Sequence, residues 1–158
     1  MKKIVAVCAL AILGIGAKAQ VSGGFKLGAN IGIPVGDIKD VSSFTAGADL
    51  AYQWRLAENF DLGIASGYHH FFGKNNVKDF GMVPIAASGQ YSVSPNVFIG
   101  ADLGYAFITN VGGNTGGFYY QPKVGYQNSN WEVYAGYKGV SDDINFGSVN
   151  LGFNYKFK

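Results

Sequence analysis

The residues that could do chemistry are few, and their spacing restricts what they can do. His69 and His70 are the only histidines in 158 residues, and they are adjacent. On an extended chain neighbours point to opposite sides, so the two cannot share one metal ion. An enzyme acting on lipids at a membrane edge would need a Ser or His nucleophile and base with a carboxylate beside them. Ser66 lies near Tyr68 and His69, yet no third partner completes a triad. Asp143-Ile144-Asn145 opens like a calcium loop, but Gly147 takes the fifth position and Asn154 the twelfth, where a ligand and a bidentate Glu are needed. The Gly-rich stretch from Val111 to Gly117 has no following helix to complete a phosphate cradle and reads as an exposed loop. No catalytic, cofactor-binding or metal-binding residue is expected.

The first nineteen residues read as a targeting segment. Lys2 and Lys3 form a basic start, Ile4 to Ala17 is apolar, and Ala17-Lys18-Ala19 is a small-x-small cleavage site. The expectation is a Sec signal peptide, residues 1–19, cleaved after Ala19, with residues 20–158 forming one domain. As a helix the 14-residue apolar run would span about 21 Å, short of the roughly 30 Å hydrocarbon core. Cys8, the single cysteine, sits inside the leader without the small preceding residue of a lipidated Cys. The mature chain therefore relies on neither disulfides nor thiol chemistry. Loss of Lys2, Lys3 and Lys18 leaves nine basic against ten acidic residues. That balance offers no basic stripe for nucleic acid.

Whatever positions the remaining polar residues must be built from strands. Of 158 residues, 24 are Gly and another 24 are Phe, Tyr or Trp, both poor helix formers. Strict alternation of apolar and polar or small residues runs through Phe25 to Ile33, Phe44 to Arg55, Phe60 to His69, Met82 to Tyr91, Val97 to Phe107, Phe118 to Tyr126, Trp131 to Lys138 and Ser148 to Phe157. Eight stretches of about ten residues suit tilted bilayer-crossing strands. Connections alternate between short (56–59, 92–96, 127–130) and longer (35–43, 72–79, 108–116, 140–145), which defines a turn end and a loop end.

Along the apolar face the rings sort to both ends. Phe25, Trp54, Phe60, Tyr91, Tyr126, Trp131, Tyr155 and Phe157 fall at the turn end. Phe44, Tyr68, Tyr105, Phe107, Phe118, Tyr120 and Tyr137 fall at the loop end, with Ala, Leu, Ile and Val between. Amphipathic rings flanking an aliphatic belt mark the two interfaces of a bilayer. The alternate face must then fill the lumen, and it carries Lys26, Asp49, Arg55, Asp61, His69, Asp102, Lys123, Glu132, Lys138 and Lys156. Such charges have to pair or stay hydrated. Pairing through the turns puts Arg55 opposite Asp61, and a turn centred on Asn128-Ser129 puts Glu132 opposite Gly125 and diagonal to Lys123. Inward Gly suits a narrow tube, and eight strands leave an interior just wide enough for side chains to fill. Pro84 and Pro122 lie within strands, where bulges are expected.

The run Val83-Pro84-Ile85-Ala86-Ala87-Ser88-Gly89-Gln90-Tyr91, followed by Ser94-Pro95, Val97-Phe98-Ile99-Gly100 and Leu103-Gly104-Tyr105, resembles the outer-membrane β-barrel domain labelled porin family, related to small OmpX- and OmpA-like barrels. Gln121-Pro122-Lys123-Val124-Gly125-Tyr126 is similar to a later strand of it. The resemblance implies an all-β, eight-stranded antiparallel up-and-down transmembrane β-barrel in the outer membrane, with no shared catalytic residues. Barrels of this kind often end in an aromatic residue read by the insertion machinery; here Phe157, followed by Lys158, takes that role. The expected partners are outer-membrane lipid and lipopolysaccharide, periplasmic chaperones and the barrel-insertion machinery, with the protein a monomer and no nucleic acid or cofactor bound. The expected function is non-enzymatic: envelope integrity or surface interaction, around a lumen filled with side chains. The alternatives are a lipid-modifying enzyme or small-ligand-binding barrel, and a soluble periplasmic barrel with an apolar cavity.

Overall fold

In a computed structural model the described residues are 23–110, 112, 115–141 and 145–157. The expected leader and its cleavage point fall outside them, as do Val111, Asn114 and Asp143. Eight strands follow one another: β1 (Gly23–Gly36), β2 (Ser42–Ala57), β3 (Phe60–Gly73), β4 (Phe80–Ser92), β5 (Val97–Thr109), β6 (Thr115–Gln127), β7 (Trp131–Ser141) and β8 (Phe146–Phe157). Each pairs antiparallel with its sequence neighbours, and β1 pairs with β8 to close the barrel. Closure leaves no open sheet edge, the condition a sheet must meet inside lipid.

Alternation sets which side each residue faces. Ile33, Ile85 and Leu151 keep 67%, 59% and 62% of their surface exposed, whereas Lys26, Gln90, Asp102, Glu132 and Lys138 are buried. An apolar outside around a charged inside is the reverse of a water-soluble barrel, and an apolar surface on that scale needs lipid to cover it. The rings gather into two belts. Phe25 meets Phe157, Tyr52 meets Trp54 and Tyr126 meets Trp131 at the turn end; Phe44 meets Phe72, Tyr105 meets Phe107 and Tyr120 meets Tyr137 at the loop end.

Three expectations change. Glu132 stands opposite Gln127, and Gly125 opposite Tyr134, two residues away from the anticipated register. The cause is the turn: Asn128 Oδ1 accepts from the amides of both Asn130 and Trp131, and Asn128 N donates to Trp131 O. The turn is therefore centred on Ser129-Asn130, an Asx-stabilised reversal. The prolines, secondly, make no bulge. Pairing of β3 with β4 is interrupted between Ser66↔Ile85 and His69↔Met82, and that of β6 with β7 between Tyr120↔Gly139 and Lys123↔Gly136, with the register unchanged across each gap. A missing N–H costs ladder bonds on one side only; at Pro84 the Ser66 hydroxyl donates to the carbonyl at 2.8 Å. The irregularities in register lie in β2, at Ser42/Phe44 and Arg55/Ala57.

Glycine, thirdly, serves both faces. A Cβ on inward Gly152 would run into the Tyr134 ring, and one on Gly125 into Phe98, so these glycines make room for rings inside the lumen. Outward Gly23, Gly81, Gly116, Gly139 and Gly147 are each covered by a tyrosine of the neighbouring strand, Tyr52, Tyr68, Tyr105, Tyr120 and Tyr137 in turn. Laying a ring over a strand glycine restores the packing that the missing side chain forfeits.

Candidate functional site

The closed barrel encloses a lumen, and its side chains form layers. Nearest the turn end, Lys26 Nζ donates to Glu132 Oε2 at 2.8 Å and to Gln90 Oε1 at 2.9 Å. Gln90 continues to Gln127 (3.0 Å), Asn154 donates to Glu132 (2.9 Å), and Lys156 donates to Gln127 (2.8 Å). On the rim Arg55 pairs with Asp61 through two nitrogens, as the turn predicts. Lys123, expected beside Glu132, instead bonds both oxygens of Asp102 at 3.0 and 2.9 Å. With Lys123 opposite Gly100 and Asp102 opposite Gln121, the pair is diagonal across β5 and β6. Glu132 is left to Lys26 and, at 3.5 Å, to Lys156.

Deeper in, Asp49 accepts from the Tyr134 hydroxyl and from Lys138 (3.4 Å), and Lys138 donates to His69 Nδ1 at 3.0 Å. Tyr119 donates to Gln121 at 2.8 Å. Between these clusters lies a cavity of about 20 Å³ lined by Asp49, Asp102, Gln121, Lys123, Tyr134 and Asn154 among others, room for about one water. Gln121 Nε2 and Asn154 Oδ1, both on that lining, have no protein partner. Charges placed this way satisfy one another across strands far apart in sequence, which a low-dielectric interior requires.

Toward the loop end the lumen turns apolar. Phe71, Met82, Ala86, Ala106, Tyr119 and Val140 are buried together, with Phe80, Ile108 and Phe146 packed on them. Phe71 stacks on Phe80 at 4.6 Å with planes 8° apart, and Phe146 meets both edge-on. Ile38, from the β1–β2 connection, folds back onto this cluster, held by amides of Val41 and Ser42 donating to its carbonyl. Residue typing along the chain did not anticipate the plug. Its signal is the Phe71-Phe72 doublet: alternation forces one ring inward, and Phe71 is 2% exposed against 40% for Phe72.

The chemistry-bearing residues separate. His69 is buried in the lumen while His70 faces outward, as adjacency requires. Ser66 stands opposite the outward Leu50, on the other face from His69, and its hydroxyl is committed to Pro84 O. His70 lies in the loop-end ring belt: its Nε2 donates to Asp79 Oδ2 at 3.1 Å, and its Nδ1 accepts from the Tyr68 hydroxyl at 3.3 Å. Asp79 Oδ1 takes the Gly73 amide at 2.8 Å. That amide, and then His70, hold the Asp79 carboxyl below the usual carboxylate range. Among the described residues no group of three or more His, Cys, Asp and Glu is placed to hold a metal.

A closed eight-strand barrel with this inside-out polarity can be set against known structures. Ail, the attachment invasion locus protein of Yersinia pestis, superposes with a TM-score of 0.60 at 15% identity, over 88% of this chain and all of that one. Neisserial surface protein A gives 0.58 at 18% identity, over 88% and 100%. The fold is that of the small eight-stranded outer-membrane barrels. A de novo designed transmembrane β-barrel matches equally well, with a TM-score of 0.58 at 17% identity over 89% of this chain and 100% of its own. A designed chain and natural surface proteins share this transmembrane barrel fold, so the fold by itself assigns no task. No family model matches the chain, and no curated protein matches it in sequence.

Proposed function

We propose that the protein is a non-enzymatic integral outer-membrane barrel that contributes to envelope integrity and presents its loop end as a contact surface. The observation that carries this reading is the lumen: paired charges fill the turn-end half, rings and aliphatic side chains fill the loop-end half, and the enclosed space between is about 20 Å³. Among the described residues, a lumen so filled leaves no open path for solutes. What remains to interact is the outside, with outer-membrane lipid and lipopolysaccharide around the belts and partners at the loops. The loops are short, so any contact surface is small. The name of Ail refers to attachment and invasion, and a surface role agrees with it. Export by a cleaved leader, passage with periplasmic chaperones and insertion guided by Phe157 complete the proposal; Phe157 is 45% exposed on the outer face.

The enzymatic alternative loses its expected residues, because Ser66 and His69 stand on opposite sides of the wall. The experiment that tests the main reading is fractionation with a gel-mobility assay in detergent. The protein should pellet with the outer membrane and migrate differently before and after boiling; a protein soluble without detergent would sink the reading. Single-channel recording should show no open-pore conductance, and purified lipid A should pass through incubation with the protein unmodified.

A further inference from the structure

We propose that the turn-end mouth of the barrel binds a phosphate-type oxyanion, free or as a lipid headgroup. The mouth is a vestibule of about 460 Å³ whose lining includes Lys26, Gln53, Arg55, Asp61, Lys156 and Phe157. Its walls therefore carry three cations and one carboxylate. The second nearby carboxylate, Glu132, lies beneath them and is 1% exposed. Lys26 and Lys156 stand directly opposite each other across β1 and β8, an arrangement of like charges that is unfavourable unless something lies between. Glu132 alone serves both, at 2.8 and 3.5 Å. Asp61 is already taken by Nε and one terminal nitrogen of Arg55. One positive charge is thus left over among the described residues of the mouth, whereas deeper in the lumen Asp102 pairs with Lys123 and Asp49 with Lys138 one for one.

The geometry of the surplus suits an oxyanion. Lys156 keeps 19% of its side chain exposed and Arg55 52%, so both have donors turned to the vestibule beyond those used in the wall. A tetrahedral phosphate can accept from an ammonium and a guanidinium at once, and charge-assisted bonds of this kind are the strong ones. Gln53 adds a second sign of incompleteness: its Nε2 donates to Ser88 at 2.9 Å, while its Oε1 is buried with no partner. That oxygen is an acceptor, so a water that donates both to it and to the anion, not the anion itself, would complete the amide. The rim rings Phe25 and Phe157, 5.9 Å apart, place the mouth at headgroup depth, where a lipid phosphate and a free one present the same chemistry.

The test is a titration of sodium phosphate into the intact barrel, held in a glycoside detergent at low salt and followed by amide NMR shifts. Saturable shifts should appear at Gly24, Lys26, Ser129 and Lys156 and fade as salt is raised. Lys156→Gln should weaken binding about tenfold. Asp61→Asn, which frees the Arg55 fork and raises the local charge, should tighten it several-fold, and this gain cannot come from misfolding. In nanodiscs, phosphatidylglycerol that displaces added phosphate assigns the site to a headgroup; phosphate binding undisturbed by that lipid assigns it to the free ion. Absence of saturable shifts, or affinity unmoved by both substitutions, would overturn the proposal.

Discussion

The two halves of the lumen solve the same problem in opposite ways. Both must fill a tube with side chains largely withdrawn from bulk water. The loop-end half does it with Phe71, Phe80, Phe146, Met82 and Val140, whose attraction is non-directional and tolerant of small shifts. The turn-end half does it with Lys26, Gln90, Gln127, Glu132, Asn154 and Lys156, joined by directional hydrogen bonds between named atoms. The plug excludes water from the side facing the longer loops. The charged network specifies register, because Lys26 finds Glu132 across 106 positions of sequence only if the closing strands align as they do. A barrel can thus divide sealing from specification between two ends of one cavity.

The sharpest way to break that division is to remove the shared carboxylate. Glu132→Gln leaves Lys26 and Lys156 facing each other with no counter-charge, and stranding buried charge costs about 4 to 5 kcal/mol. Denaturant unfolding of the barrel in detergent, followed by the shift of the folded gel band, should show that loss. A second change at Lys26→Met should recover much of it, since it removes the buried charge that the first change stranded. Damage at the plug should look different. Phe71→Ala removes a ring with 2% exposure and should cost about 3 to 4 kcal/mol through the cavity it leaves. Because the hydrophobic constriction is then breached, small-ion leakage through planar bilayers should rise above the wild-type baseline. Glu132→Gln, with the plug intact, should leave leakage at baseline.

How much of this could be read in the chain depends on what a period of two can carry. Strand number, the outward and inward faces, the two ring belts and the Arg55–Asp61 pair all follow from alternation and one short turn, and all are present in the barrel. The partners of Glu132 were not legible, because a slip of two residues at the β6–β7 turn returns every side chain to its own face. Only the Asn128 side chain, capping Asn130 and Trp131, decides between the two registers. The plug was hidden for a related reason: Phe71 reads as another apolar residue until the face of Phe72 is known. Glycine was ambiguous in the same way, since the Tyr52, Tyr68, Tyr105, Tyr120 and Tyr137 rings that cover outward glycines reach across from the neighbouring strand, and cross-strand neighbours depend on register.

The contrast between the halves holds only inside the wall, and a charge placed one residue away tests this. Leu151 lies between buried Asn150 and inward Gly152 along β8 and faces outward, 62% exposed. Leu151→Arg should cost roughly 2 to 3 kcal/mol near the middle of the bilayer. The readout is unfolding in phospholipid vesicles; no loss of stability would mean that the outer face meets water and that the polarity has been assigned to the wrong side.

The smallest effect concerns the outside of the loop end, where a polar chain borders the ring belt much as the charged network borders the plug. Asp79 links the Gly73 amide and His70, and its carboxyl sits below the ordinary value of 3.8, first because of that amide and then because of His70. A carboxyl depressed in the folded state stabilises above its ordinary value, and the contribution fades as pH falls through the lowered one. The Gly73 amide shift should therefore titrate with a midpoint below 3.8, while global unfolding changes little over the same range, because the group is exposed and screened. Asp79→Asn should abolish that titration and speed exchange of the Gly73 amide, with the lumen network undisturbed. A Gly73 shift that titrates at or above the ordinary value would separate Asp79 from the amide.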